Sequence, residues 1–221
     1  MRVVKCAYIL KLLEHSELEG EATVYVYLET DRLILRRFTN DDLELLIELD
    51  SDPAVMRYIS GGPPTPRAAI EQEILPAWLR HYERGNDLGF WAAIEKGTDE
   101  FLGWFHFRPT EEDGIVELGY RLRQSAWGKG YATEGSHALI ERGFRDLGVR
   151  RVVASTYQDN FGSRRVMEKV GMTFVRSFRM TPEELSEDGI YDPVVSAAAF
   201  PGEDVEYALD RADWEKQHSN Q

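Results

Sequence analysis

Leu122-Arg-Gln-Ser-Ala-Trp-Gly-Lys-Gly-Tyr-Ala-Thr-Glu134 ends a strand, turns on two glycines with one residue between them, and opens a helix at once. Gly128 and Gly130 let the backbone approach a ligand closely. The first turn of the helix presents amide hydrogens that have no partner within it. Together these features make an anion site suited to a pyrophosphate. For a bare glycine–x–glycine a tight turn without any ligand is the commoner case, because short glycine motifs recur by chance. Two better-known loops do not fit. The dinucleotide fingerprint needs a third glycine three residues after the second, where Thr133 stands. The phosphate-binding loop of nucleotidases needs Gly-Lys-Ser/Thr after a four-residue spacer, and no such run is present.

Outward from this loop, the strand before it covers residues 115–123. There Val116, Leu118, Tyr120 and Leu122 share one face, and Glu117, Gly119 and Arg121 the other. The helix after it carries Ala132, Ser136, Leu139, Ile140, Gly143 and Leu147 on one side, with Gly148 as its stop. Upstream, strands are expected at 32–38, 90–95 and 101–108. Asn40 is the expected cap of a helix striped by Leu43, Leu46 and Ile47. A second helix opens at Thr65-Pro66, and Pro76 should kink or divide it. Downstream come a strand at 149–156, a helix at 163–170, a strand at 172–180 and a last strand at 204–209. Antiparallel strands followed by a strand–helix–strand–helix–strand unit imply an α/β sandwich with a mixed sheet. Residues 1–27 read as an N-terminal extension with a short strand at 23–28, and residues 28–217 as one domain.

The chain has 221 residues, 43% hydrophobic and 29% charged, the balance of a globular protein. No run approaches the roughly 20 apolar residues of a membrane span, and no signal peptide is evident. The single cysteine, Cys6, cannot form an internal disulfide, and a reducing, cytoplasmic home is expected. A net charge of −13 argues against a nucleic-acid partner and is compatible with a cationic substrate. The five histidines are scattered without ligand-like spacing, so no metal is expected.

Trp127-Gly-Lys-Gly-Tyr-Ala-Thr-Glu134 resembles the acetyl-coenzyme A loop of the GNAT N-acetyltransferases, in the branch that contains the ribosomal-protein N-terminal acetyltransferases. Three further segments are similar to that branch in the right order. They are Arg32-Leu-Ile-Leu-Arg with Ser51-Asp-Pro-Ala-Val-Met56, then Asp159-Asn-Phe-Gly-Ser-Arg-Arg-Val-Met-Glu-Lys-Val-Gly-Met172, then Val205-Glu-Tyr-Ala-Leu-Asp-Arg-Ala-Asp-Trp214. One departure lies three residues before the first loop glycine, where the family has a basic residue or glutamine and this chain has Ser125.

The resemblance implies an α/β fold with a mixed, mostly antiparallel sheet of about seven strands, flanked by helices and splayed near the cofactor site. It implies acetyl-coenzyme A as acyl donor, direct attack by a primary amine in a ternary complex, and a monomer or homodimer. The acceptor would be a protein N-terminal amine or a small amine. The amides of Gly128, Lys129, Gly130, Tyr131, Ala132 and Thr133 would bind the pyrophosphate, and the strand end at Leu122 the pantetheine amides, as an added strand does. Asn160 would bond the pantetheine arm, or cap its helix, or both. Arg165, with Arg164 beside it, would meet the adenosine 3′-phosphate. An amine with a pKa near 10.4 must lose a proton at neutral pH. Glu117 is the candidate base, against a plain ion pair with a cross-strand arginine; His106 is its rival. Many relatives protonate the leaving thiolate with a tyrosine seven residues after the asparagine, where this chain has Met167, leaving Ser163 as the candidate hydroxyl. That methionine also keeps open a second class of function, a module that binds acyl-coenzyme A without turnover.

Overall fold

The computed structural model describes residues 24–85, 87–179 and 202–219. Eight strands form one sheet: β1 (Val26–Glu29), β2 (Leu33–Arg36), β3 (Gly89–Glu95), β4 (Phe101–Pro109), β5 (Ile115–Leu122), β6 (Arg151–Tyr157), β7 (Thr173–Phe178) and β8 (Asp204–Asp210). Their spatial order is β1-β2-β3-β4-β5-β6-β8-β7. All neighbours are antiparallel except β5 and β6. Seven strands run from Leu33 onward, and β1 is the eighth. Strand β1 straddles residue 27, and residues 1–23 lie outside those described.

The helices are α1 (Leu43–Ser51), α2 (Pro53–Met56), α3 (Arg67–Ala69), α4 (Leu75–His81), α5 (Tyr131–Asp146), α6 (Phe161–Lys169) and α7 (Arg211–His218). Alternation along β4 builds a core on each face of the sheet. Phe105 and Phe107 join Leu33, Trp91, Leu118 and Val152 beneath α5. Trp104 joins Phe38 and Phe90 beneath α1 and α4. Each fully buried large side chain contributes roughly 1.5–3 kcal/mol. Helix α5 lies close on β4 because Gly135 and Gly143 face the Phe105 and Phe107 rings, where a Cβ would overlap them.

Two details depart from the sequence reading, and a third selects between its alternatives. The first helical turn is capped by Thr39, not Asn40: Thr39 is extended, and its N–H donates to Asp42 Oδ2 at 2.8 Å. Pro76 divides its helix by way of a π turn, Ile70–Ile74, between α3 and α4. The proline ring has no N–H and crowds the preceding turn, and wider spacing accommodates it. Helix α6 begins at Phe161 rather than 163, because Asn160 caps it by accepting from the Ser163 N–H at 3.2 Å. The acidic segment 183–188 and most of the loop 189–203 lie outside the described residues.

Candidate active site

Strands β5 and β6 pair over three positions only, from Ile115 with Arg151 to Glu117 with Val153. Beyond that point β5 keeps its bonds to β4 as far as Leu122, and β6 keeps its bonds to β8 as far as Tyr157. The sheet therefore parts, and residues 118–122 turn one edge of their backbone into a cleft of about 920 Å³. Glu117, Leu122, Gly128, Gly130, Tyr131, Ala132, Thr133, Asn160, Ser163 and Arg165 all line it. Lys129 is exposed, and its carbonyl is turned to Arg32, which donates to it through Nη1 at 2.9 Å.

The head of α5 lies at one end of the cleft. Gly128 and Gly130 have φ of +72° and +87°, in the left-handed region that glycine enters without strain. Gly130 caps α5, so the amides of its first turn stay available to an anion. The loop is braced from both sides. Trp127 Nε1 donates to the Leu122 carbonyl at 2.8 Å. Arg32 forms an ion pair with Glu134, which also accepts from Thr30 Oγ1 at 2.6 Å and from the Arg32 amide at 2.9 Å.

Asn160 uses both ends of its amide: Oδ1 caps α6, and Nδ2 donates to Thr156 Oγ1 at 3.0 Å. Arg165 reaches the cleft. Arg164 is not among the residues that line it, and donates instead to the Gln158 carbonyl and to Tyr207 Oη. Ser163 Oγ lies 3.0 Å from Tyr120 Oη. Tyr120 shares its face of β5 with Val116, Leu118 and Leu122; burial pushes its phenol up to about 12, with the Ser163 hydrogen bond acting against the rise. Met167 is the buried residue of α6.

On the opposite face of the sheet, three cross-strand pairs of β4 and β5 form a row: Trp104 with Arg121, His106 with Gly119, and Arg108 with Glu117. Arg121 forms a buried ion pair with Asp50, which also accepts from Thr65 Oγ1 at 2.7 Å. Glu117 Oε2 accepts from Arg108 Nε at 2.9 Å and from its Nη2 at 2.5 Å. The cross-strand ion pair weighed against a base at Glu117 is thus present, and it holds the carboxylate at the cleft wall. His106 is buried, its ring lying over Gly119 where any Cβ would collide with it. Burial, then the charges of Arg108, Arg121 and His81, hold this imidazole well below the usual histidine range. It is neutral at physiological pH and a weak base.

That shift has a measurable consequence. The unfolded histidine takes up a proton as pH falls through about 6.5, and the folded one does not. Stability is therefore full above pH 6.5 and declines below it, by up to about 1.4 kcal/mol per pH unit from this residue. His81 is lowered too and adds to the trend, so the parent must be compared with His106→Leu. Guanidinium unfolding between pH 5 and 7 should show a shallower decline in the variant.

Across the mouth, Tyr58 stacks on Tyr157 with ring centroids 6.0 Å apart, and burial pushes the Asp204 carboxyl up. Among the described residues no cluster of His, Cys, Asp and Glu forms a metal site, and no helix is long and apolar enough to cross a membrane.

The model for the acetyltransferase (GNAT) domain matches residues 32–173. An Aspergillus fumigatus protein, FsC-acetyl coenzyme A-N(2)-transacetylase, is 30% identical over 200 residues, covering 85% of this chain and 77% of that one. Among solved structures, a GNAT-family acetyltransferase from Bacillus anthracis superposes with a TM-score of 0.64 at 24% identity, covering 84% of this chain and 98% of its own. A ribosomal L7/L12 alpha-N-protein acetyltransferase in complex with coenzyme A superposes with a TM-score of 0.63 at 18% identity, covering 84% and 97%. With the family model covering more than half of the chain, this chain belongs to the GNAT family of acetyl-coenzyme A-dependent N-acetyltransferases.

Proposed function

We propose that the protein transfers the acetyl group of acetyl-coenzyme A to a primary amine by direct attack in a ternary complex. The acceptor is a protein N-terminal amine or a small amine. The observation that carries this reading is the parting of β5 from β6 beside the glycine-headed end of α5. An amide-bearing arm can add to the open edge at 118–122 as a strand would, with its phosphates at the helix head. Asn160 and Arg165 support the arm and the 3′-phosphate. Residues 28–217 carry the activity, and residues 1–27 extend it.

Glu117 takes the proton of the incoming ammonium, directly or through water, and Arg108 fixes its carboxylate for that task. The freed amine attacks the thioester carbonyl carbon. Collapse of the adduct breaks the carbon–sulfur bond, and the sulfur takes a proton from the Ser163 hydroxyl. His106 stays neutral beside them and serves packing rather than proton transfer.

Glu117→Gln should lower kcat/KM by about 10²–10³ at pH 7 while acetyl-coenzyme A binding stays within about twofold, general bases being worth 10²–10⁴. The deficit should shrink towards pH 9.5, where more of the amine is already free. A deficit constant across that range would leave Glu117 with the ion pair alone. Thiol release from acetyl-coenzyme A, followed against N-terminal peptides, polyamines, amino acids and amine antibiotics, tests the function itself. Release with one class identifies the acceptor; binding without release from any of them would count against catalysis.

A further inference from the structure

The hydroxyl of Ser163 does not stand alone. Tyr120 approaches it from β5, 43 residues earlier in the chain, with Oη 3.0 Å from Oγ. Both side chains line the cleft, in the stretch where β5 has left β6. Serine is a poor source of a proton unless the proton it gives up is replaced, since its own oxygen would be left as an alkoxide in a half-buried site. One turn further along the helix that carries Ser163 stands Met167, which is apolar and buried and cannot donate. A phenol on the facing strand meets that need. Its ring is set against Phe105, with centroids 5.8 Å apart, so the hydroxyl is held in place by packing.

We propose that Tyr120 supplies the proton that Ser163 passes to the leaving sulfur, making the two hydroxyls a relay across the cleft. This rests on the transferase reading above. The step balances as follows. The carbon–sulfur bond breaks and its electron pair goes to sulfur. The Ser163 Oγ–H proton moves to sulfur, and the Tyr120 Oη–H proton moves to Ser163 Oγ. The phenolate is restored by solvent with the proton that the attacking nitrogen has lost. Products are the amide and the free thiol, with no oxidant or reductant. The phenol is protonated at working pH, as tyrosine ordinarily is; burial raises the cost of the transient phenolate, and the Ser163 hydrogen bond acts against that rise. Tyr120 acts through Ser163 and is in that sense a positioning residue.

Tyr120→Phe keeps the ring and removes the hydroxyl. In single-turnover acetyl transfer the variant should be about ten- to a hundredfold slower, below the full range of a general acid because Ser163 remains. The dissociation constant for acetyl-coenzyme A should stay within about twofold, as neither phosphates nor pantetheine depend on the phenol. Tyr120→Phe combined with Ser163→Ala should be no slower than Ser163→Ala alone. The rate in mixtures of light and heavy water distinguishes a relay from packing. Two protons in flight bow the plot for the parent protein, and Tyr120→Phe should straighten it. A straight plot for the parent, or Tyr120→Phe within twofold of its rate, overturns the relay while leaving the transferase intact. Absence of transfer by the parent to any amine, despite cofactor binding, overturns both.

Discussion

Gly128→Val is expected to weaken acetyl-coenzyme A binding by about a hundredfold or more, because a β-branched residue in the left-handed region costs roughly 1–3 kcal/mol and its branches fill the cradle besides. Gly128 has a φ of +72°, and a Cβ there meets no protein atom within 4 Å. The substitution has room in the ligand-free protein, and that room is where the phosphates are expected. Calorimetric titration should therefore show binding lost, while thermal unfolding without ligand falls by roughly 2–12 °C from the backbone strain alone. Gly128→Ala should fall between valine and the parent. Full affinity in Gly128→Val would mean that the loop does not hold the pyrophosphate.

The largest effect on stability is expected at Asp50. Its carboxylate and the Arg121 guanidinium form an ion pair in which both side chains are about 93% shielded from water. Asp50→Ala leaves the guanidinium buried beside Trp104, whose ring lies 5.1 Å from it and compensates only in part. Removing one partner of a buried pair costs about 3–5 kcal/mol, or roughly 6–20 °C in Tm for a domain of this size. Arg121 lies in the cleft wall, so turnover should fall at temperatures where the variant is still folded. Replacing both partners, Asp50→Leu with Arg121→Met, should recover much of the stability. A melting temperature of Asp50→Ala within a degree or two of the parent would show that the pair is solvated in solution.

The elements that were legible in the sequence are those with local causes. Two glycines ahead of a helix, alternation along β5, and the helix stop at Gly148 each act within a few residues. The ion pair of Glu117 with Arg108 was within reach as well, since one hairpin joins their strands and the register follows from its length. The contacts that escaped are those made across the fold. Arg121 is 71 residues from Asp50, and Arg32 is 102 from Glu134, so no spacing rule links them. Tyr120 shows the same limit at closer range. Its neighbours Leu118 and Leu122 make it one more apolar position on a stripe, and only the docking of α6 brings Ser163 to its hydroxyl. Thr39 and Asn40 both suit a helix cap, and the choice fell to Thr39 because Asp42, held by buried Arg36, is the residue that completes it.

The brace between Arg32 and Glu134 fixes where this protein can be cut. Every described residue that lines the cleft follows Asp52 in the chain, so a shortened gene starting just after Arg32 would keep all of these. It would nonetheless lose Thr30 and Arg32, the two residues that hold Glu134 and the Lys129 carbonyl. The glycine loop would remain in sequence but lose its anchor, and residues 30–32 therefore set the minimum N-terminal boundary for any fragment meant to bind the acyl donor.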